Sequence, residues 1–191
     1  MDLIFLKKPQ GMWQRKVMRN NMKKLLIVYY SWTNGNTERI ARKLKKVSGA
    51  DMARIETVIP YSGSYDEVVK QGQDEVNRGY QPEIVPLPVS VKDYDVIAVG
   101  TPTWWYTMAP AVLSFVKTQD FNGKTVIPFM TNGGWPGHVI RDIKRECAGA
   151  DFLYEMEVKF DSSGGDHLET SETDIDAWAE SVADFIKEEN A

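Results

Sequence analysis

Cysteine and histidine are almost missing from this chain. One cysteine (Cys147) and two histidines (His138 and His167) occur in 191 residues. A single thiol excludes an internal disulfide and suits a reducing compartment, so a cytoplasmic location is expected. Three such residues, widely separated, make no metal-site pattern. No apolar run approaches the roughly 20 residues of a membrane-spanning helix, and no association with a membrane is expected. MDLIFLKK is too short for a secretory leader, and its charge follows its apolar part. The first turn has no Gly-x-Gly-x-x-Gly, and the chain contains neither Gly-x-x-x-x-Gly-Lys-Ser/Thr nor Gly-x-Ser-x-Gly. Those absences disfavour a nicotinamide-binding first turn, a nucleoside-triphosphate loop and a hydrolase elbow. Repeats, linkers and low-complexity segments are also lacking.

Charge is unevenly spread. Residues 1–21 hold Lys7, Lys8, Arg15, Lys16 and Arg19 against Asp2 alone. The remainder has 18 basic and 26 acidic residues, a net of −8 beneath the whole-chain −4. An acidic body argues against nucleic acid as a partner. Residues 1–21 also match poorly with the rest of the chain, because Met22 opens a run, MKKLLIVYY, that reads as the start of a domain. They are expected to form an extension that is disordered or outside the core, with residues 22–191 as one domain.

The length fits a single domain, and 42% hydrophobic residues supply its core. Apolar runs alternate with helical patterns. Strands are expected at Leu25–Tyr30, Met52–Val58, Val96–Gly100, Thr125–Thr131 and, unbroken, Phe152–Phe160. Helices are expected at Glu38–Val47, with Ile40, Ala41, Leu44 and Val47 on one face, and at Tyr65–Arg78, capped by Ser64 and stopped by Gly79. Three more follow at Ala109–Thr118, Val139–Cys147 and Asp174–Lys187, the last with Thr173 as its cap. Five strands alternating with helices imply a parallel sheet with right-handed crossovers, a doubly wound α/β fold. Ligands of such sheets bind outside the carboxyl ends of the strands.

The densest signal is Lys23 to Ala41, KKLLIVYYSWTNGNTERIA. A buried strand runs directly into a turn of small polar residues and then into a helix. Backbone N–H groups at such a turn, with the helix dipole behind them, attract an anion. Ser31, Thr33, Asn34, Asn36 and Thr37 add side-chain donors around Gly35. The turn has no Lys or Arg, so neutral hydrogen bonds would hold the anion. That suits the phosphate of a flavin mononucleotide (FMN) better than a triphosphate.

Thr33-Asn34-Gly35-Asn36-Thr37 resembles the phosphate loop of flavodoxins, of the form T-x-G-N-T. Gly100-Thr-Pro-Thr-Trp-Trp-Tyr-Thr-Met-Ala-Pro110 resembles their second flavin loop, and Thr131-Asn-Gly-Gly-Trp-Pro-Gly137 their third. The resemblance implies strand order 2-1-3-4-5 in a three-layer sandwich of the short-chain type, with FMN as cofactor. It implies that Pro102, Thr103, Trp104, Trp105, Tyr106, Thr131, Asn132, Gly133, Gly134 and Trp135 surround the flavin ring. Neighbours in sequence point apart, so one of Trp104 and Trp105 is expected to face the flavin while the other packs down.

The resemblance leaves two reactions open. The first is an electron carrier exchanging electrons with a flavin- or iron–sulfur-containing reductase, as a monomer or weak homodimer. The second is an FMN-dependent NAD(P)H oxidoreductase acting on quinones or on nitro or azo compounds. Tyr106 departs from the glycine common after the paired tryptophans, and a stiffer turn there leans toward two-electron chemistry. Asn34 departs from the hydroxyl residue common at its place. His138 is expected at a surface helix start, His167 in solvent and Cys147 within a helix. Tyr154 and Asp161 are not expected at the active face.

Overall fold

A computed structural model describes residues 3–7, 13–17 and 22–187. Strand β3 (Leu25–Tyr29) is buried along its whole length, as a parallel strand covered on both faces must be. It pairs in parallel with β4 (Asp51–Arg54) on one side and β5 (Val96–Trp104) on the other. Beyond β5 lies β7 (Thr125–Asn132), and beyond that β8 (Asp151–Phe152) and β9 (Met156–Lys159), again parallel. Counting β8 and β9 as one interrupted strand, the parallel order is 2-1-3-4-5, as expected. A short β6 (Thr107–Met108) folds back antiparallel on the end of β5.

Alternation along each strand sorts the core into two layers. Leu26, Val28, Ile97, Val99, Val126 and Met130 face α2 (Tyr65–Arg78), α3 (Pro110–Thr118) and α4 (Val139–Glu146). Leu25, Ile27, Val96, Ala98, Ile127 and Phe129 face α1 (Asn36–Ser48) and α5 (Glu172–Lys187). Helix α2 begins and ends as the sequence indicates: Ser64 and Glu67 form a capping box, and Gly79 stops the helix in the left-handed conformation. Pro110 opens α3, where its missing N–H costs nothing.

Four expectations need correction. The fifth strand is not unbroken: Tyr154 adopts φ 51° and its carbonyl accepts from the Trp178 indole at 2.6 Å, which interrupts the ladder. The break is three residues, not a long insertion. The second strand ends at Arg54, after which Thr57 bridges to Ile84. Thr173 is not the cap of α5 but lies in its first turn, where the Ser171 carbonyl receives the N–H of Asp174 and of Ile175. Val47 is exposed and does not share the buried face of Ile40, Ala41 and Leu44.

Within residues 1–21, β1 (Leu3–Lys7) and β2 (Trp13–Val17) pair antiparallel in a two-stranded sheet separate from the main one. Residues 1–2, 8–12 and 18–21, over which the expected extension also runs, lie outside the described residues. Among the described residues, no helix is long and apolar enough to cross a membrane.

Gly100 pairs with Phe129 at the sheet centre, and a methyl group there would lie 2.1 Å from the Phe129 ring. Overpacking of this kind costs about 1–3 kcal/mol. Gly100→Ala should therefore lower the urea midpoint by a corresponding amount.

Candidate functional site

Every strand of a parallel sheet points its carboxyl end to the same edge, and the loops there enclose a cleft of about 320 Å³. At one end is the start of α1. Gly35 occupies the cap position at φ 74° and provides no capping side chain. The N–H groups of Asn36 and Thr37 are thus left for a ligand, and the helix dipole makes that ligand an anion. Thr33 sits beside it at φ 53°. The Thr37 hydroxyl, buried, shares a 2.8 Å hydrogen bond with that of Thr131 and joins the first loop to β7.

A strap from the fifth strand crosses this end. The Asp161 carboxylate accepts from the N–H groups of Ser163, Gly165 and His167 and rounds the segment into a turn. The strap's Gly164 carbonyl accepts from the Asn34 side chain at 2.6 Å, and its Gly165 carbonyl from the Asn36 side chain at 2.9 Å. Hydrogen bonds from Ser163 and from the strap's backbone hold the Asp161 carboxyl below its usual range, against some loss of hydration. Asp161 is the one charged side chain among the described residues lining the cleft.

The other end is aromatic. Trp104 is the tryptophan that packs down. It is buried against Trp32, Tyr30 and Tyr61, with ring centres 5.6, 6.2 and 5.2 Å away. Trp105 swings outward, and its indole donates to the Val69 carbonyl at 2.7 Å. Tyr106 and Trp135 stand half-exposed at the rim, and Tyr65 stacks on Trp32 at 5.8 Å. Two buried polar atoms here have no protein partner, the Thr103 hydroxyl and the Trp104 indole nitrogen. A buried polar group without a partner is costly. The Thr103 hydroxyl, on the cleft wall, is accordingly positioned to bond a ligand.

Of the sixteen residues singled out from sequence, twelve line the cleft: Thr33, Asn36, Thr37, Pro102, Thr103, Trp104, Trp105, Tyr106, Thr131, Asn132, Gly133 and Trp135. Ser31 lies beneath it, accepting from the Glu38 N–H at 3.4 Å. Asn34 braces the strap, Gly35 caps α1, and Gly134 turns the third loop, its N–H bonded to the Asn132 side chain at 2.6 Å. Sequence reasoning missed Trp32, Tyr65, Val69, Phe160, Asp161, Gly164 and Gly165, all of which line the cleft. Asp161 corrects an expectation: it follows the carboxyl end of the fifth strand, which places it at the ligand edge. Tyr65 had a comparable signal, since it opens a helix whose N-terminus lies at that edge.

The sequence model of the flavodoxin family matches residues 24–182. The chain belongs to the flavodoxin family. Among solved structures, a candidate flavoprotein from Bacteroides eggerthii shares 27% identity over 84% of this chain and 98% of its own, with a TM-score of 0.68. A flavoprotein from Lactobacillus acidophilus, solved in complex with FMN, shares 21% over 71% of this chain and 92% of its own, with a TM-score of 0.60. A flavodoxin from the domain Archaea shares 20% over 86% and 99%, with a TM-score of 0.52. Among curated proteins, none matches the chain. Family membership carries FMN with it as cofactor. An anion site with no cation among the described lining residues at one end of the cleft, and aromatic walls with an unpaired hydroxyl at the other, fit that molecule.

The turn between β5 and β6 shows how this member departs from glycine. Trp105 and Tyr106 take φ values of 47° and 67°, forming a two-residue hairpin loop with both residues left-handed. A non-glycine residue in this region costs about 1–2 kcal/mol. Tyr106 side-chain packing offsets little of that, because the residue is 51% exposed. Tyr106→Gly should raise the stability of the flavin-free protein by about 1 kcal/mol in urea denaturation. A fall in stability would show that the phenol, not the backbone, decides the turn.

Proposed function

We propose that this protein binds FMN in the cleft and carries electrons between redox partner proteins. The phosphate lies at the N-terminus of α1, and the flavin ring lies among Trp104, Trp105, Tyr106 and Trp135. The observation that supports this reading best is the pairing of a helix start whose cap residue has no side chain with an aromatic-walled cleft that has no cation among its described lining residues. The rim residues Trp105, Tyr106, Trp135 and Tyr65 are 37–58% exposed. A ring held among them lies close to the surface, where a partner can approach. The net charge of −8 outside residues 1–21 favours a basic docking face on that partner, such as a flavin- or iron–sulfur-containing reductase.

When bound, FMN supplies the redox chemistry, and the protein supplies orientation and electrostatics. The same exposed aromatic rim also favours a second reading. Flat apolar side chains beside a flavin would hold a nicotinamide or a quinone by stacking, and the protein would then be an FMN-dependent NAD(P)H oxidoreductase.

Stepwise anaerobic reduction of the FMN-loaded protein separates the two. A carrier should take up electrons in two separate one-electron stages, resolved in the visible spectrum. Passage in a single two-electron stage would overturn the carrier reading in favour of the reductase. Asn34→Asp should weaken FMN binding by about tenfold or more, because it sets a negative charge beside the phosphate and opposite the Gly164 carbonyl. Unchanged affinity would remove this loop from the phosphate site.

A further inference from the structure

The rings at the aromatic end of the cleft do not stop at its wall. Trp32, Tyr65 and Trp104 line the cleft. Tyr65 and Trp104 each lie against Trp32, with ring centres 5.8 and 5.6 Å away. Tyr61 stands behind Trp104, outside the cleft lining, with its ring centre 5.2 Å from that of Trp104. Trp32, Trp104 and Tyr61 therefore form a continuous line of oxidisable rings leading from the cleft into the protein.

That line ends on a buried base. The Tyr61 hydroxyl donates to Oε2 of Glu75 at 2.7 Å, and the Gln71 side chain donates to Oε1 at 2.8 Å. Glu75, on α2, is 3% exposed. Burial, then the hydrogen bond and negative charge of Glu75, raise the Tyr61 pKa above its ordinary value, so the phenol keeps its proton at rest. Trp104 is the opposite case. Its indole nitrogen is buried without a hydrogen-bond partner, and a methyl group on Gly72 would lie 2.2 Å from it. The α2 backbone thus fills the place where an acceptor would stand. Gly72 and Glu75 are both buried and lie one turn apart on α2. One helix face closes off the indole N–H and supplies a base to the phenol.

This difference gives the line a direction. Removing an electron from an aromatic ring makes its N–H or O–H strongly acidic. Oxidised Trp104 has no neighbour to take its proton, so it stays charged and strongly oxidising. Tyr61 has an acceptor within hydrogen-bond reach, so its electron and proton leave together.

We propose that Trp32, Trp104 and Tyr61 relay an oxidising equivalent out of the cleft, with Glu75 taking up the Tyr61 proton, and so spare the cleft from oxidative damage. The proposal rests on the reading of the cleft as an FMN site: a flavin held at an exposed rim meets dioxygen, and the oxidants concerned are oxygen-centred radicals formed there. Such a radical gains one electron from Trp32 or Trp104. The indole regains its electron from Tyr61, whose O–H bond breaks while an O–H bond forms on Glu75. The products are an intact indole, a neutral phenoxyl radical and a neutral carboxylic acid. A thiolate in solution then returns the electron, becoming a thiyl radical, and Glu75 returns the proton.

Pulse radiolysis with azide radicals tests the relay in the flavin-free full chain, because an azide radical takes one electron from an indole and becomes azide. In the wild type, indolyl absorption should decay into tyrosyl absorption, and more slowly in heavy water, since a proton moves with the electron. Tyr61→Phe should lose much of that tyrosyl growth. Trp104→Phe should lose it too, although Tyr61 remains, and Glu75→Gln should slow it by about tenfold or more. Tyr61→Phe keeps the ring, so it tests the relay even if the other two variants do not fold. Equal tyrosyl growth in Tyr61→Phe and the wild type would overturn the relay, and an unchanged rate in Glu75→Gln would overturn the role of the carboxylate. Protection of the cleft is read separately, by mass spectrometry of FMN-loaded protein taken through repeated cycles of reduction and exposure to air. Trp32 and Trp104 should be more oxidised in Tyr61→Phe than in the wild type. Equal oxidation with FMN bound would overturn the protective use. Wild-type protein that takes up no FMN would instead overturn the reading of the cleft.

Discussion

A strand buried on both faces presents nothing to solvent but its ends. That constraint governs this molecule. The residues of β3 and most of β5 and β7 are inaccessible along their length, so chemistry can occur only where the chain leaves the sheet. Parallel pairing makes all the exits point one way. The turn before α1, the β5–β6 hairpin, the turn after β7 and the strap after β9 therefore meet at one edge. None needs to be long to reach its neighbours. The hydroxyl–hydroxyl bond between Thr37 and Thr131 and the amide bonds from Asn34 and Asn36 to the strap lock that meeting in place.

The two ends of the cleft are built by different physics. The phosphate end depends on backbone N–H groups that the helix cannot satisfy itself, which is why a glycine without a capping side chain stands at its start. The ring end depends on side-chain area. Its paired tryptophans take different places: Trp104 belongs to the core beneath, while Trp105 takes up the exposed, left-handed position in the hairpin. Holding two non-glycine residues in that conformation requires restraint: Gly137 of the third loop packs against the Tyr106 carbonyl, the His138 N–H donates to that carbonyl, and Asp142 of α4 accepts from the Thr107 hydroxyl.

Much of this could be read from residues alone. The alternation of apolar runs with helical patterns gave five parallel strands, and the three loop motifs located the cleft. What local pattern could not reveal was set by tertiary contact. Tyr154 belongs to an apolar stretch that looks like continuous strand, yet the Trp178 indole from α5 captures its carbonyl and the ladder breaks. Asp161 looks like an ordinary loop carboxylate until its place after the fifth strand puts it at the ligand edge. Tyr65 looks like the first residue of a polar helix, and its ring reaches the cleft stacked on Trp32. Asn34 shows the reverse case: its residue type and position fit a phosphate donor, while its side chain is committed to the Gly164 carbonyl.

In the proposed mode of binding, the start of α1 grips a phosphate while aromatic walls hold the ring attached to it. The most direct measurement is a titration of the flavin-free protein with FMN and, in parallel, with riboflavin, followed by quenching of flavin fluorescence. Stoichiometric uptake of FMN is expected, with riboflavin binding weaker by about a hundredfold or more, the worth of charge-assisted hydrogen bonds lost with the phosphate. Equal affinity for the two flavins would contradict it, because the start of α1 would then contribute nothing to recognition.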